Sequence, residues 1–452
     1  MTLLMFLVFL ITEVGFAIYS AGIPEKSERC KRRLIVNGAE LIIFLIMLLL
    51  PHIGFSFRFA GFAVLLVIRL IGAAISYALH RKDDRKTSVF SAAAGGLGNI
   101  ALIAFALIPA FVISDYQGRP VTGEHQIARA SAVLIDRART EQFEDDGSFR
   151  EVPVHFFYPA DISDAENTLP LVIFSHGAFG WYESNTSTYM ELASHGYVVV
   201  SLDHPYHAMY TKDSAGKTIT VDPDFFRSAL NIGSSNENDT DRFERTQQWM
   251  ELREADMAFA LDTLKNAASQ HSFDDSWCFT ESDPDTIRTA TNMIDTGRIG
   301  LMGHSLGGAT AVSVGRRSDV SAVIDIDGTM LGEETGVENG AFVIDDTPYP
   351  TPLLNIDNEL HHNDRVQARE TGYTYSNNVI LDNAVDGHDT YFRNTEHMNL
   401  TDLPLFAPAP AKLLGTGSAD PADCIDRVNA LVLDFFDSYI KDSGDFSADE
   451  SY

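Results

Sequence analysis

The 452-residue sequence predicts an α/β body built on a mostly parallel, doubly wound sheet, preceded by a bundle of four transmembrane helices. Three observations predict it. The first quarter of the chain holds four long apolar stretches. Beyond residue 115, short continuous apolar runs alternate with segments of helical spacing, the pattern of a parallel sheet covered on both faces. One run, "RIGLMGHSLGGATAV" at 298–312, breaks at Gly-His-Ser-Leu-Gly-Gly and passes straight into small residues, which spells a strand turning sharply into a helix.

The apolar stretches are 2–22, 34–50, 57–79 and 95–113. At about 17–23 residues each, they are long enough to cross roughly 30 Å of hydrocarbon as helices. The first lacks a basic leader and more spans follow, so it reads as a span rather than a cleaved signal. Glu13, Glu40 and Arg69 fall inside spans, where ionisable groups are expensive unless they face one another. The loop at 23–33 carries five basic residues and that at 80–90 carries four, whereas "PHIGFS" at 51–56 carries none. Basic loops stay cytoplasmic, so the N-terminus and everything after residue 114 are expected outside, in a multi-pass cell-membrane protein. The expected domains are therefore 1–114, membrane, and 115–452, extracytoplasmic.

Charge divides at the same point. Residues 1–114 hold 11 basic and 6 acidic residues, leaving 22 basic and 57 acidic in the remainder. A body that acidic disfavours a nucleic-acid partner. Cys30 lies in a cytoplasmic loop, while Cys278 and Cys424 share the exported body, where a disulfide is permitted. Sequence does not say whether they pair, nor what the oligomeric state is.

Within the body, "IARASAVLIDRAR" and "REVPVHFFYPA" (150–160) read as strands, followed by "LPLVIFSHGAFG" (169–180) and "GYVVVSLDHPYH" (196–207) with buried-strand runs. "TSTYMELASH" between them has helical spacing. A long helix is expected over 240–266, with Met250, Leu252, Met257, Leu261 and Leu264 on its apolar face. After the Gly-His-Ser turn come the strands "VSAVIDIDG" and "TPLLNID" (351–357), and a closing amphipathic helix at 429–441. The polar segments 208–240 and 267–297 read as surface loops or insertions, candidates for a lid.

Ser305 stands at the centre of G-x-S-x-G. Glycines at 303 and 307 let the turn close without side-chain clashes, and the helix that follows aims its first amides at the place where an oxyanion would form. A serine needs a base, and a base needs an orienting acid. In chain order the acid comes next and the histidine last. His388 and His397 both qualify as base, and spacing does not separate them. For the acid, Asp327 at a strand end competes with Asp357 and Glu359 one strand later; Asp325 has the wrong parity. The first oxyanion amide is that of Leu306. The second belongs to the turn after "VIFSHG", where Gly177 allows close backbone approach and His176 holds the turn by a hydrogen bond. "DHPYH" (His204, His207) and "HHND" (His361, His362) lack the accompanying spacing of a metal site, and Tyr206 and Trp181 are expected to line a substrate pocket. Sequons fall at Asn185, Asn238 and Asn399.

From about 150 to 440 the chain resembles the plasma and intracellular type II platelet-activating-factor acetylhydrolases and their bacterial esterase relatives. The resemblance is carried, in order, by "LVIFSHGAFG", "LASHGYVVVSLDH", "RIGLMGHSLGGAT" and "HMNLTDL". It covers about two thirds of the chain, and neither the spans nor 267–297 match. It implies an α/β-hydrolase fold with Ser305, Asp327 and His397 as the triad and Ala178 as the second oxyanion amide. Leu400 replaces the family's usual aromatic residue. The implied reaction needs no metal or cofactor. The expected activity is a membrane-anchored serine esterase or lipase on carboxylic esters, with short or oxidised acyl chains of phospholipids as the favoured substrates. A broad carboxylesterase or polyester hydrolase, or a non-catalytic ligand-binding membrane sensor, remain the alternatives.

Overall fold

The computed structural model describes residues 2–50, 56–83, 85–114, 116, 118–162, 166–232 and 238–452. Most of the charge-free loop at 51–56 and part of the 208–240 segment fall outside them. The chain divides into an N-terminal unit, Met1–Tyr116 with Phe406–Pro410, and a second unit of Gln117–Leu405 with Ala411–Tyr452.

In the N-terminal unit, helices Thr2–Ala21, Lys26–Met47, Ala60–His80 and Val89–Ala106 pack around Phe9, Phe44, Phe62 and Leu66, with a short helix Ile108–Val112 behind them. Three helical segments among the described residues are long and apolar enough to cross a membrane: Thr2–Ala21, Phe57–His80 and Val89–Ala106. The expected fourth span does not reach that standard. Its helix, Lys26–Met47, spends its first two turns on Lys26, Glu28, Arg29, Lys31, Arg32 and Arg33, and the apolar remainder is interrupted by Glu40. The last span also starts earlier than 95, because Ser88 caps its helix by accepting from the Ser91 amide. The ionisable residues within the bundle face one another. Arg33 donates to Glu13 at 2.7 Å, and Arg69 bridges Glu13 and Glu40.

The second unit is organised by nine strands: β1 (Ile127–Thr140), β2 (Phe149–Pro159), β3 (Leu169–Ser175), β4 (Val198–Leu202), β5 (Trp277–Cys278), β6 (Ile294–His304), β7 (Ala322–Ile326), β8 (Leu353–Asn358) and β9 (Gly387–Phe392). They form one sheet in the order β9-β8-β7-β6-β3-β4-β2-β1-β5. The six from β9 to β4 are parallel, and β2, β1 and β5 each run antiparallel to the strand before them in that order. β3 and β4 are buried along almost their whole length, as their unbroken apolar runs require of strands covered on both faces. Leu261 and Leu264 of the helix Asp239–Gln270 cover one face. Leu192 of the helix Thr186–Ser194, with Phe435 and Phe436 of the helix Pro421–Lys441, covers the other.

Two expectations need correction. Segment 267–297 is not a loop: Pro284–Met293 is a helix, capped by Asp283 and burying Ile287, Ala290 and Met293, and β6 begins at Ile294. β9 was not expected, because "GHDTYF" is short, polar and at the sheet edge. All three cysteines are free. Asn185 and Asn399 are fully buried, so of the three sequons only Asn238, at an exposed helix N-terminus, presents its side chain.

Candidate active site

β6 ends at His304 and a helix begins at Leu306, leaving Ser305 alone to make the corner. Its φ of 58° and ψ of −125° lie where side chains are rarely tolerated, a strain that persists only when the surroundings enforce it. The Ser305 amide donates to Ile326 O at 2.8 Å, tying the corner to the end of β7. A Cβ on Gly303 would stand 2.2 Å from Gly307 backbone, and one on Gly307 would stand 1.9 Å from Ser175 O, so both positions admit only hydrogen.

Asp327 follows β7 immediately, with a φ of 58° of its own, and is buried. Its carboxylate is fully engaged. Oδ1 accepts from the Asn358 amide (2.7 Å) and faces His361 Nδ1 (3.0 Å); Oδ2 accepts from Asn358 Nδ2 (2.6 Å) and His397 Nδ1 (2.6 Å). Burial alone would raise its pKa, but the His361 charge and the hydrogen bonds from both histidines outweigh that and hold it well below the usual carboxylate range. The bond to Nδ1 fixes the His397 tautomer and leaves Nε2 as the free acceptor. No hydrogen bond joins His397 to Ser305 Oγ among the described residues. Such contacts commonly tighten only when substrate is bound. His304 Nε2 touches His397 O at 3.2 Å, and burial pushes the His304 imidazole down to about 3, so it is neutral there.

The competing residues are committed elsewhere. His388 lies on edge strand β9, with Nε2 on Tyr439 Oη (2.7 Å) and Asp386 (3.0 Å). Asp357 is paired with Arg365; burial raises it to about 6 against that pairing. Glu359 accepts from the Asn394 amide at 2.9 Å. Asp325 Oδ1 accepts from the Gly328 amide at 3.0 Å and so braces the turn carrying Asp327.

Ala178 lies in the turn after β3, and Leu306 is the first residue of the helix after Ser305. Both belong to one apolar cluster with Phe225, Trp249, Met250 and Leu331. Neither amide has an acceptor among the described residues. Gly177 presses against the corner, where a Cβ would come within 3.1 Å of Ser305 Cβ. His176 Nε2 accepts from the His204 amide (3.3 Å), so its Nδ1–H is free to donate to Gly177 O (2.6 Å), the turn-holding contact expected of it.

With this geometry, residues 149–451, more than half of the chain, match the family model described as platelet-activating factor acetylhydrolase, isoform II. The chain belongs to that family. This acetylhydrolase-family member is accordingly a carboxylic ester hydrolase with the α/β-hydrolase fold. Its fold is also that of a solved ferulic acid esterase from Streptomyces cinnamoneus, at 20% identity and a TM-score of 0.50, over 72% of this chain and 92% of that one.

Two features of the family member escaped the sequence. His361 joins Asp327 from the helix Glu359–Thr371, although "HHND" was weighed only as a metal motif. Asp327, Asp357 and His361 do bring ligand-type atoms within 4.8 Å of one another, but both Asp327 oxygens are already bonded. Beneath the β3 turn lies a buried ionic network. Arg150 bridges Glu141 (2.9 Å) and Asp256 (2.7 Å), and Asp256 also meets His204 Nδ1 (3.0 Å), whose Nε2 meets Ser175 Oγ (2.8 Å). Tyr206 belongs to this side and is bonded to Glu144 (2.7 Å). Neither it nor Trp181 lines the cavity of about 530 Å³ beside the Asp327 turn, whose walls include Thr329, Leu331, Phe342 and Tyr375.

Proposed function

We propose that the chain is a membrane-anchored serine esterase whose nucleophile is Ser305, with His397 as base and Asp327 as orienting acid. The 2.6 Å contact between His397 Nδ1 and Asp327, in the turn next to a strained Ser305, carries this reading. In the reaction, His397 Nε2 takes the Ser305 hydroxyl proton as Oγ attacks the ester carbonyl. Asp327 stabilises the imidazolium without itself taking the proton. The Ala178 and Leu306 amides receive the oxyanion. Collapse expels the alcohol, which takes the proton from His397, and water then releases the acid by the same steps in reverse. The family's name and the three apolar helices favour lipid esters, with short or oxidised phospholipid acyl chains first. We place the hydrolase unit outside on the reading that Lys26–Met47 crosses as well, because the basic loops at 23–33 and 80–90 share the cytoplasmic side only when both intervening helices cross.

The test uses the full-length protein in detergent. A fluorophosphonate probe should label wild type and not Ser305→Ala. His397→Ala should abolish hydrolysis of p-nitrophenyl butyrate, while His388→Ala retains most of it. Reversal of the two histidine results sinks the base assignment, and an unlabelled wild type sinks the serine mechanism.

A further inference from the structure

Arg253 is fully buried on the helix Asp239–Gln270, yet no carboxylate lies within salt-bridge distance of it among the described residues. Asp256, three residues on, is taken by Arg150, Arg139 and His204. A guanidinium desolvated without a contacting anion is costly. Burial pulls its pKa down, though from so high a starting value that the group keeps its charge. Its three contacts are all with the β3 turn and its neighbour. Nη1 donates to His176 O (2.6 Å), Nη2 to Gly177 O (3.2 Å), and Nε to His207 Nδ1 (3.3 Å). Arg253 shares the Gly177 carbonyl with His176 Nδ1 (2.6 Å) and the Gly180 amide (3.2 Å).

From these contacts we infer that Arg253 is a positioning residue which aims the Ala178 amide into the oxyanion site, an inference that rests on the proposed serine mechanism. The argument is one of peptide geometry. In a trans peptide the C=O and N–H point in opposite directions, and no cis bond occurs among the described residues. Fixing the Gly177 carbonyl toward Arg253 therefore turns the Ala178 N–H away from that helix, the N–H being the group with no acceptor of its own. Gly177 itself abuts Ser305. Rotating this peptide the other way would present a carbonyl dipole to a developing anion and would strip Arg253 of a contact. The turn is pinned on its far side as well. The Phe179 amide donates to His207 O (2.9 Å), and Gly180 O accepts from the Met209 amide (2.8 Å). Phe179 holds a φ of 44°, as a residue does when its neighbours over-determine it. A cation bonded to the Gly177 carbonyl also polarises that peptide, making its N–H a stronger donor.

The experiment compares Arg253→Lys and Arg253→Met with wild type in the full-length protein. Active Ser305 is counted by fluorophosphonate titration, and the substrate is p-nitrophenyl butyrate. Expected is a kcat per titrated serine about 100-fold lower in Arg253→Met, the scale of a lost oxyanion donor. KM should stay within about three-fold, and Arg253→Lys should fall between the two, since an ammonium keeps the charge but not the fork. Inhibition by an alkyl trifluoromethyl ketone, whose adduct carries the oxyanion, should weaken in step with kcat. A purely structural role would lower the titrated amount and the melting temperature but would leave kcat per serine and the ketone affinity alone. Wild-type kcat in folded Arg253→Lys and Arg253→Met overturns the inference while leaving the serine mechanism standing. Absence of Ser305-dependent turnover in wild type removes the mechanism and this inference together. Should Arg253→Met not fold, His207→Leu removes the Nε acceptor and is expected to lower kcat several-fold with KM retained; unchanged kcat there overturns the inference equally.

Discussion

The two sides of the Ser305 corner are built from opposite materials. On one side, Asp327 gathers His397, His361 and Asn358 at the ends of neighbouring parallel strands, and the two histidine side chains keep about a third of their surface in solvent (33% and 30%). On the other, Arg150, Arg253, Asp256 and His204 lie beneath the β3 turn with almost none (Arg150 at 2%). A group that is to exchange protons with a substrate has to be reachable and titratable. A group that only shapes backbone serves best when it neither titrates nor moves, which suits arginine. The proposed proton-handling side is thus open, and the backbone-shaping side closed, with buried arginines that the open side's triad lacks.

The largest effect should appear on the open side, on replacing its central carboxylate rather than a neighbouring one. Asp327→Asn is expected to lower kcat by about 10⁴-fold, since the amide supports the wrong His397 tautomer. Asp357→Asn, one strand over, should cost only a few-fold. Initial rates with p-nitrophenyl butyrate decide it, and equal losses from both would dissolve the assignment of the acid.

Breaking the closed side should instead unfold the protein. Arg150→Met leaves buried Glu141 without its ion partner and Asp256 with only Arg139 and His204, and breaking such a buried pair costs about 3–5 kcal/mol. Urea unfolding of the hydrolase transition should register that loss. A loss below about 1 kcal/mol would mean that water or other partners already compensate these carboxylates, and that the closed side is less closed than its burial says.

The same contrast explains what could be read from sequence. The strand–Ser305–helix corner and the strands β3, β4, β7 and β8 are written in residues close together along the chain. Physical chemistry acts on them locally, through glycine at a tight corner and apolar runs in buried strands. Choosing His397 over His388 needed the "HMNLTD" resemblance, since nothing in the spacing says that His388 sits on an edge strand facing Tyr439. Arg253 and Asp256 were illegible for a different reason. Along Asp239–Gln270 they look like the polar residues of an amphipathic helix, and only contacts with residues far away in the chain, at 176, 177 and 150, bury them. The expected span at 34–50 lies on the helix Lys26–Met47, whose charged first turns leave it less apolar than the other three.

The smallest effect expected is also the one that ties the open side to pH. His361 faces Asp327 at 3.0 Å, with Asp357 and Asp364 nearby and the His397 ring 5.8 Å away. The Asp327 charge, against the cost of burial, raises its pKa from 6.5 to about 9. A group whose folded-state pKa is raised stabilises the fold fully below its unfolded value, and that contribution disappears as pH climbs through the folded value. Wild type should therefore exceed His361→Gln in stability by up to about 3 kcal/mol at pH 6, with the exposed third of the ring reducing that figure. The gap should narrow between pH 6.5 and 9 and close above it, in urea unfolding at pH 6, 8 and 10. A constant gap across the three pH values would mean that His361 supports Asp327 by packing rather than by charge, and the division into a titrating side and a fixed side would lose its basis.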